Sequence, residues 1–324
     1  MEKKEYKTID EQIEILIQNK NIDPETIDKN VFNTETYISL ITPYTDLVAI
    51  GRAKDNNYHI YNENTDFKEY LSWAKVDKYI SIILQNAIGT FEKKLKLFLE
   101  TTICSWMFSN GDKSCCDYTG WGNYINSLPY LNFTNIYEIE KNTSELEFAT
   151  TSIKNSRKSA IENIIKINAG EIRQTNLVKH YREKKYLPFW ITIHELTINE
   201  LFQLFSMIKY MDKQAFVCEI LNKEAKDVSF NDVHKFESKL AYITEIRNKI
   251  NHYESIIPLF IKTSPNLYNI IYGAIKIVCN FYKNNRPISL SMNKPVILTV
   301  KNNFNKNSYD KVTKILDLIE NSII

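Results

Sequence analysis

Only seven glycines and eight prolines interrupt a chain of 324 residues. That scarcity excludes architectures built from many short strands and turns, and it favours long uninterrupted elements. Cysteine supplies no framework either. The five present (Cys104, Cys115, Cys116, Cys218 and Cys279) include no Cys-x-x-Cys and have no histidine at ligand spacing. Neither a zinc module nor a disulfide scaffold organises such a chain, and the odd count fits a reducing compartment. For the vicinal Cys115-Cys116 pair, a metal or redox role is the lesser reading. No apolar run reaches the length of a membrane span, and the opening MEKKEYKTID has no apolar signal core. The expectation is a cytoplasmic protein with no membrane partner. Charge of one sign is missing as well. A net charge of +2 gives no global field for nucleic acid, so any such site must be a local patch.

What is present reads as helix. A hydrophobic fraction of 44% is ample for a core, and 25% charge is ordinary for a folded chain. Thr8-Ile9-Asp10-Glu11 is a capping box opening an apolar face at Ile13, Leu16 and Ile17, and Asp23-Pro24-Glu25 starts a short second helix. Tyr37–Val48 reads as a helix broken at Pro43, and 51–66 as a polar loop. From Val76 to Trp106 apolar residues recur every three or four positions, the mark of a long central bundle member. Residues 109–143 are loop-rich, the best candidate for an insertion or cover. Helices are expected at 144–167, after the capping box Thr197–Glu200, after Ser229-x-x-Asp232, over 266–282 and over 308–321. At 286–301 the pattern alternates, which reads as a small hairpin. The expected fold is therefore mainly α: an N-terminal helical extension (1–66), a helical core (67–285) and a C-terminal hairpin and helix (286–324).

One stretch carries chemistry. Leu240–Glu254, LAYITEIRNKINHYE, is an apolar helical run ending in Arg247-Asn248-Lys249-Ile250-Asn251-His252. Arg247 falls one turn after Ile243 on the apolar stripe, where a guanidinium must be paired or bind an anion. His252 is the side-chain type that exchanges protons near neutrality. An arginine for phosphate and a histidine for protons are what RNA cleavage requires. On a regular helix, residues five apart are rotated by about 140° and separated by about 7.5 Å, so Arg247 and His252 do not share a face. Arg247 and Asn251 do, and so do Asn248 and His252. Two further Arg–His spacings occur, Arg52–His59 in the polar loop and Arg173–His180, and spacing alone cannot choose among the three.

Other residues have two readings. Lys179-His180-Tyr181-Arg182-Glu183-Lys184-Lys185 is either a solvated helix face or, with its aromatics, a phosphate-tracking RNA surface. Glu92 and Lys96 are either an ordinary i,i+4 ion pair or supporting members of the Arg247–His252 site. Tyr118, Trp121, Tyr124, Tyr130 and Phe133 either stack bases or pack their own loop. His194, among apolar neighbours, reads as a core histidine. No carboxylate-and-histidine cluster demands a metal, so no cofactor is expected.

The segment IRNKINHYE resembles the R-N-x-x-x-H motif of HEPN domains. More narrowly, the chain resembles the Abi-like abortive-infection proteins of bacteria, of the AbiD and AbiF type. Further landmarks fall in the family's order: TIDEQIEIL at 8–16, VDKYISIILQNAIGTFEKKLK at 76–96, VKHYREK at 178–184 and LPFWITIHELTINEL at 187–201. Tyr253, Glu254 and Ser255 stand where the family often has a second histidine, an arginine and Trp-Asn, and Asn199 replaces a frequent glycine. The resemblance implies a HEPN-like helical bundle and a metal-independent endoribonuclease that cleaves single-stranded RNA as a phage-defence toxin. Arg247, Asn248 and His252 would be catalytic, with Asn251, Glu92 and Lys96 in support. It also implies a homodimer with both motifs facing one cleft and a structured small non-coding RNA as a controlling partner. The rival is a non-catalytic RNA-binding or protein-interaction module in which Arg247 and His252 only hold a phosphate or pair internally.

Overall fold

The computed structural model describes residues 6–52, 59–118, 146–184, 187–285 and 306–323, with backbone alone at 146–154, 306–308 and 322–323. It is mainly helical, as the periodicity predicts. The helices are α1 (Ile9–Lys20), α2 (Tyr37–Leu40), α3 (Thr45–Val48), α4 (Lys68–Ser109), α5 (Leu146–Ala169), α6 (Asn176–Glu183) and α7 (Phe189–Thr192). They continue with α8 (Ile198–Met207), α9 (Tyr210–Leu221), α10 (Phe230–Asn251), α11 (Ile257–Ile261), α12 (Pro265–Asn285) and α13 (Lys306–Ile323). Both capping boxes form: Thr8 with Glu11 opens α1, and Thr197 with Glu200 opens α8. Ser229 and Asp232 exchange the same reciprocal bonds ahead of α10. Pro24 starts a single 3-10 turn capped by Asp23, and Pro43 sits in the 3-10 turn that separates α2 from α3. Pro265 begins α12, where its missing N–H costs nothing.

The chain makes two compact units that are not contiguous in sequence. One gathers the described parts of Met1–Ile88 and Glu245–Ile324; the other is built from Gly89–Thr244. In the first unit α11 and α12 pack on α13, and α11 also meets the 3-10 turn at Thr42–Tyr44. Its core holds Leu16, Ile41, Leu47, Ile80, Leu84, Ile246, Phe260 and Ile271, all buried. In the second unit α5 packs on α8, around a cluster of phenylalanines at 91, 98, 202, 205, 216 and 236. Phe98 and Phe216 have centroids 4.6 Å apart, and Phe91 meets Phe202 edge-on at 6.5 Å. Such pairs add about 1 kcal/mol each beyond the area they bury.

Three expectations need amendment. The stretch 51–66 is not wholly loop: Gly51–Arg52 and His59–Ile60 pair antiparallel as β1 and β2, with Arg52 opposite His59. Asp46 explains this, because it accepts from both side chains and draws the two strands together. His194 is exposed rather than core, 3.8 Å from Glu100. A tight turn, Ile193–Glu195, buries Ile193 and turns its neighbour outward. Helix α4 also begins eight residues before the apolar stripe at Val76, at Lys68, where Asp66 accepts from the Lys68 N–H. The expected hairpin at 286–301 lies outside the described residues, as do Trp121, Tyr124, Tyr130 and Phe133. Tyr118 is described; its hydroxyl meets that of Thr192 at 2.9 Å, so this aromatic packs its own loop down.

Candidate functional site

The motif sits at the C-terminal end of α10. Its stripe does what the spacing predicts: Ile243, Ile246 and Ile250 are buried, Arg247 is half-buried, and Asn248, Asn251 and His252 are exposed. The i,i+4 relation between Arg247 and Asn251 becomes a bidentate contact. With its amide oxygen turned to the guanidinium, Asn251 accepts from Nη1 at 3.0 Å and from Nε at 3.2 Å. This amide orientation is the one that satisfies both groups. Asn251 thus holds the guanidinium in place while contributing no charge that would cancel it.

The helix then closes tightly. The His252 N–H donates to Asn248 O at 3.0 Å, Tyr253 N–H to Ile250 O at 3.1 Å, and Glu254 N–H to Lys249 O at 2.8 Å. The last two bonds are the Schellman pair, and Tyr253 occupies the left-handed position at φ 56°. Lys249 Nζ pairs with Glu254 Oε2 at 2.8 Å, and this bond holds the Glu254 carboxyl below its ordinary range. Glu254 therefore serves Lys249, not Arg247. His252 is the C-cap residue, exposed at the rim.

Behind this rim lies a residue that the sequence reading did not single out. Asp77, 5% exposed on α4, accepts from the N–H groups of Ile256 and Ile257 at 3.1 Å each and from the Tyr44 hydroxyl at 3.0 Å. Tyr44 also meets the Ser255 hydroxyl at 3.1 Å. The chain leaving the motif is thus fastened to α4 through a buried carboxylate. Desolvation outweighs these donors and pushes the Asp77 carboxyl upward. A signal did exist: Asp77 is the one acid on the stripe Trp73, Asp77, Ile80, Leu84, Ala87, Phe91. An ionisable group on a buried stripe needs partners, and here they come from the motif's own exit.

In each of the other Arg–His spacings the arginine is held by a carboxylate. Arg52 and His59 both contact Asp46 Oδ1, at 2.6 and 2.9 Å, with Lys262 at 3.7 Å from its second oxygen. Burial raises the Asp46 carboxyl, but Arg52 and His59 outweigh it and hold it low. Arg173 forks onto Glu200 at 2.5 and 2.9 Å, so it braces the start of α8. Glu92 and Lys96 form their i,i+4 pair at 3.1 Å in the second unit, where Lys96 also donates to His194 O at 3.3 Å. Their side chains are largely buried, so this is not a solvated surface pair.

Of the basic run, Lys179, His180 and Lys184 are exposed on or just after α6, and Lys185 lies outside the described residues. Tyr181 meets Trp190 edge-on at 5.3 Å and His180 at 5.6 Å, while Lys184 stands 5.8 Å from its ring. Arg182 departs from the expectation of a free RNA contact. Its guanidinium donates to Gln174 and to Ala169 O at 3.2 Å, closing the C-terminal end of α5. Unpaired carbonyls at a helix end draw a cation of the right reach, and Arg182 has it. Among the described residues no group of three or more His, Cys, Asp or Glu gathers as a cation site, and no helix is long and apolar enough to cross a membrane.

No curated protein and no solved structure matches the chain. A family model described as Abi-like protein matches residues 30–257, which takes in α4, the α6 basic surface and the whole of α10 with its motif. With well over half of its length covered, this chain belongs to the Abi-like protein family, and with that family to abortive-infection phage defence.

Proposed function

We propose that this protein is a HEPN-type, metal-independent endoribonuclease that cleaves single-stranded RNA as the toxin of an abortive-infection system. The observation that carries it is the end of α10, where Asn251 holds Arg247, and Asn248 and His252 stand exposed on the same last turns of the helix. In the reaction the RNA 2′-hydroxyl attacks the adjacent phosphorus and yields its proton to a general base. The 5′-oxygen leaves with a proton from a general acid, giving a 2′,3′-cyclic phosphate and a 5′-hydroxyl. His252 supplies acid or base catalysis, worth about 10²- to 10⁴-fold. Arg247 stabilises the charge on the phosphorane. Asn248, one turn before His252, orients the phosphate, and Asn251 positions the guanidinium.

Arg247 and His252 point about 140° apart on one helix, so a homodimer that brings two motifs to one cleft completes the site. A structured small non-coding RNA would restrain the toxin, and Lys179, His180, Tyr181 and Lys184 offer it a surface. The test is growth arrest and total-RNA integrity in cells expressing wild type, Arg247→Ala or His252→Ala. New 2′,3′-cyclic phosphate ends with wild type alone, at equal melting temperatures, support the reading.

The Tyr181–Trp190 pair, with Trp190 exposed and Lys184 over the Tyr181 ring, favours a second reading, a non-catalytic RNA-binding module. In that case both wild type and His252→Ala co-purify with the same RNA, and neither cleaves it.

A further inference from the structure

Among the described residues, five positions that close helices adopt left-handed backbone, and four of them hold the types that tolerate it. Asn21 closes α1 at φ 51°, Asn222 closes α9 at φ 52°, and Gly111 and Gly170 follow α4 and α5 at φ 97° and 83°. Asparagine bonds locally and glycine has no Cβ, so both enter this region at small cost. After the motif helix the position holds Tyr253 at φ 56°. A bulky aromatic there is an outlier, and its ring recovers nothing from packing: Tyr253 is 95% exposed, the most exposed large hydrophobic side chain among the described residues. The backbone around it is nonetheless closed, by both Schellman bonds and by the Lys249–Glu254 pair. Strain held against a rigid helix end, with a large ring presented to solvent, marks a place where side chain and function are tied.

We propose that Tyr253 is a base-stacking residue, whose ring receives an unpaired nucleobase of single-stranded RNA beside His252; this rests on the RNA-cleaving reading above. A phenol ring offers a flat π-face that accepts any base, and its fixed left-handed backbone removes the entropy that a mobile loop aromatic would lose on binding. Stacking selects single strands because bases within a duplex present no free face. The residue touches a base and moves no proton.

The test uses the full-length His252→Ala protein, so that RNA survives, and a labelled single-stranded oligouridylate carrying one 2-aminopurine. Tyr253→Gly keeps the left-handed backbone and removes the ring. The expected result is about tenfold weaker binding, equivalent to about 1.4 kcal/mol, loss of 2-aminopurine quenching, and a melting temperature no lower than the parent's. Tyr253→Phe should bind and quench as the parent does. If Tyr253→Gly binds and quenches unchanged while the protein with His252 intact cleaves RNA, stacking is wrong and the ribonuclease reading stands. If the parent binds no RNA and the His252 protein cleaves none, that reading fails and carries the inference with it. If Tyr253→Gly converts a dimer to a monomer with RNA affinity per chain unchanged, the ring is a subunit contact and the inference is overturned.

Discussion

The carboxylate of Asp77 accepts the backbone N–H of Ile257 at 3.1 Å, joining positions 180 residues apart. The contact lies at the first turn of α11, where helix N–H groups have no intrahelical acceptor, and the Ile256 N–H uses the same oxygen. It fixes the path of the chain just after His252. Asp77→Ala leaves two buried N–H groups short of an acceptor, which should cost about 2 kcal/mol. Hydrogen exchange should show the Ile256 and Ile257 amides losing protection before the rest of α11.

Asn251 acts on the guanidinium without charge. Asn251→Ala should lower the cleavage rate about tenfold by removing the two bonds that Asn251 accepts from the Arg247 guanidinium, whereas Arg247→Ala should remove about 10² or more. Asn251 is exposed, so the melting temperature of Asn251→Ala should stay close to the wild type. Single-turnover cleavage of a short RNA, set against thermal melting, checks the difference.

Glu200 and Glu69 should give stability opposite dependences on pH. Burial raises the Glu200 carboxyl, but bonds from Arg173, Thr197 and Asn163 outweigh this and hold it below its ordinary 4.5. A depressed folded pKa stabilises above that value, and the contribution is lost as pH falls through the folded pKa. Glu200→Ala strands Arg173 and should cost about 3 kcal/mol at neutral pH.

For Glu69, desolvation and the nearby Asp66 charge push the carboxyl from 4.5 up to about 7. Folding then favours the protonated form. The contribution is fully present below pH 4.5 and is lost as pH rises through about 7. Glu69→Gln should therefore be the more stable protein at pH 8 and match wild type at pH 4. Urea midpoints across that range measure it.

Gly170 follows α5 at φ 83°, and a Cβ built there would lie 1.8 Å from Arg182 Nη1. Gly170→Ala should cost about 1–2 kcal/mol through the left-handed backbone alone. It should also push Arg182 off the Ala169 carbonyl. A chemical denaturation midpoint below that of Arg182→Ala would separate the backbone cost from the lost cap.

Local chemistry was legible along the chain. The capping boxes at Thr8 and Thr197, the Asp23-Pro24 start, the long stripe of α4 and the i,i+4 neighbours Asn248 and His252 all follow from spacing. Each depends only on residues within a turn or two. What the sequence could not rank was the set of Arg–His spacings, because a guanidinium's partner can lie anywhere. Folding gave Arg173 to Glu200, 27 residues on, and brought Arg52 and His59 to Asp46. The guanidinium of Arg182 likewise goes to a distant acceptor, the Ala169 carbonyl at the end of α5. Asp77 shows the limit most clearly. Sequence could mark it as an acid on a buried stripe, but only the tertiary structure supplied the amides of Ile256 and Ile257. A buried charge is tolerated only where the fold delivers donors to it, and no local pattern encodes that delivery.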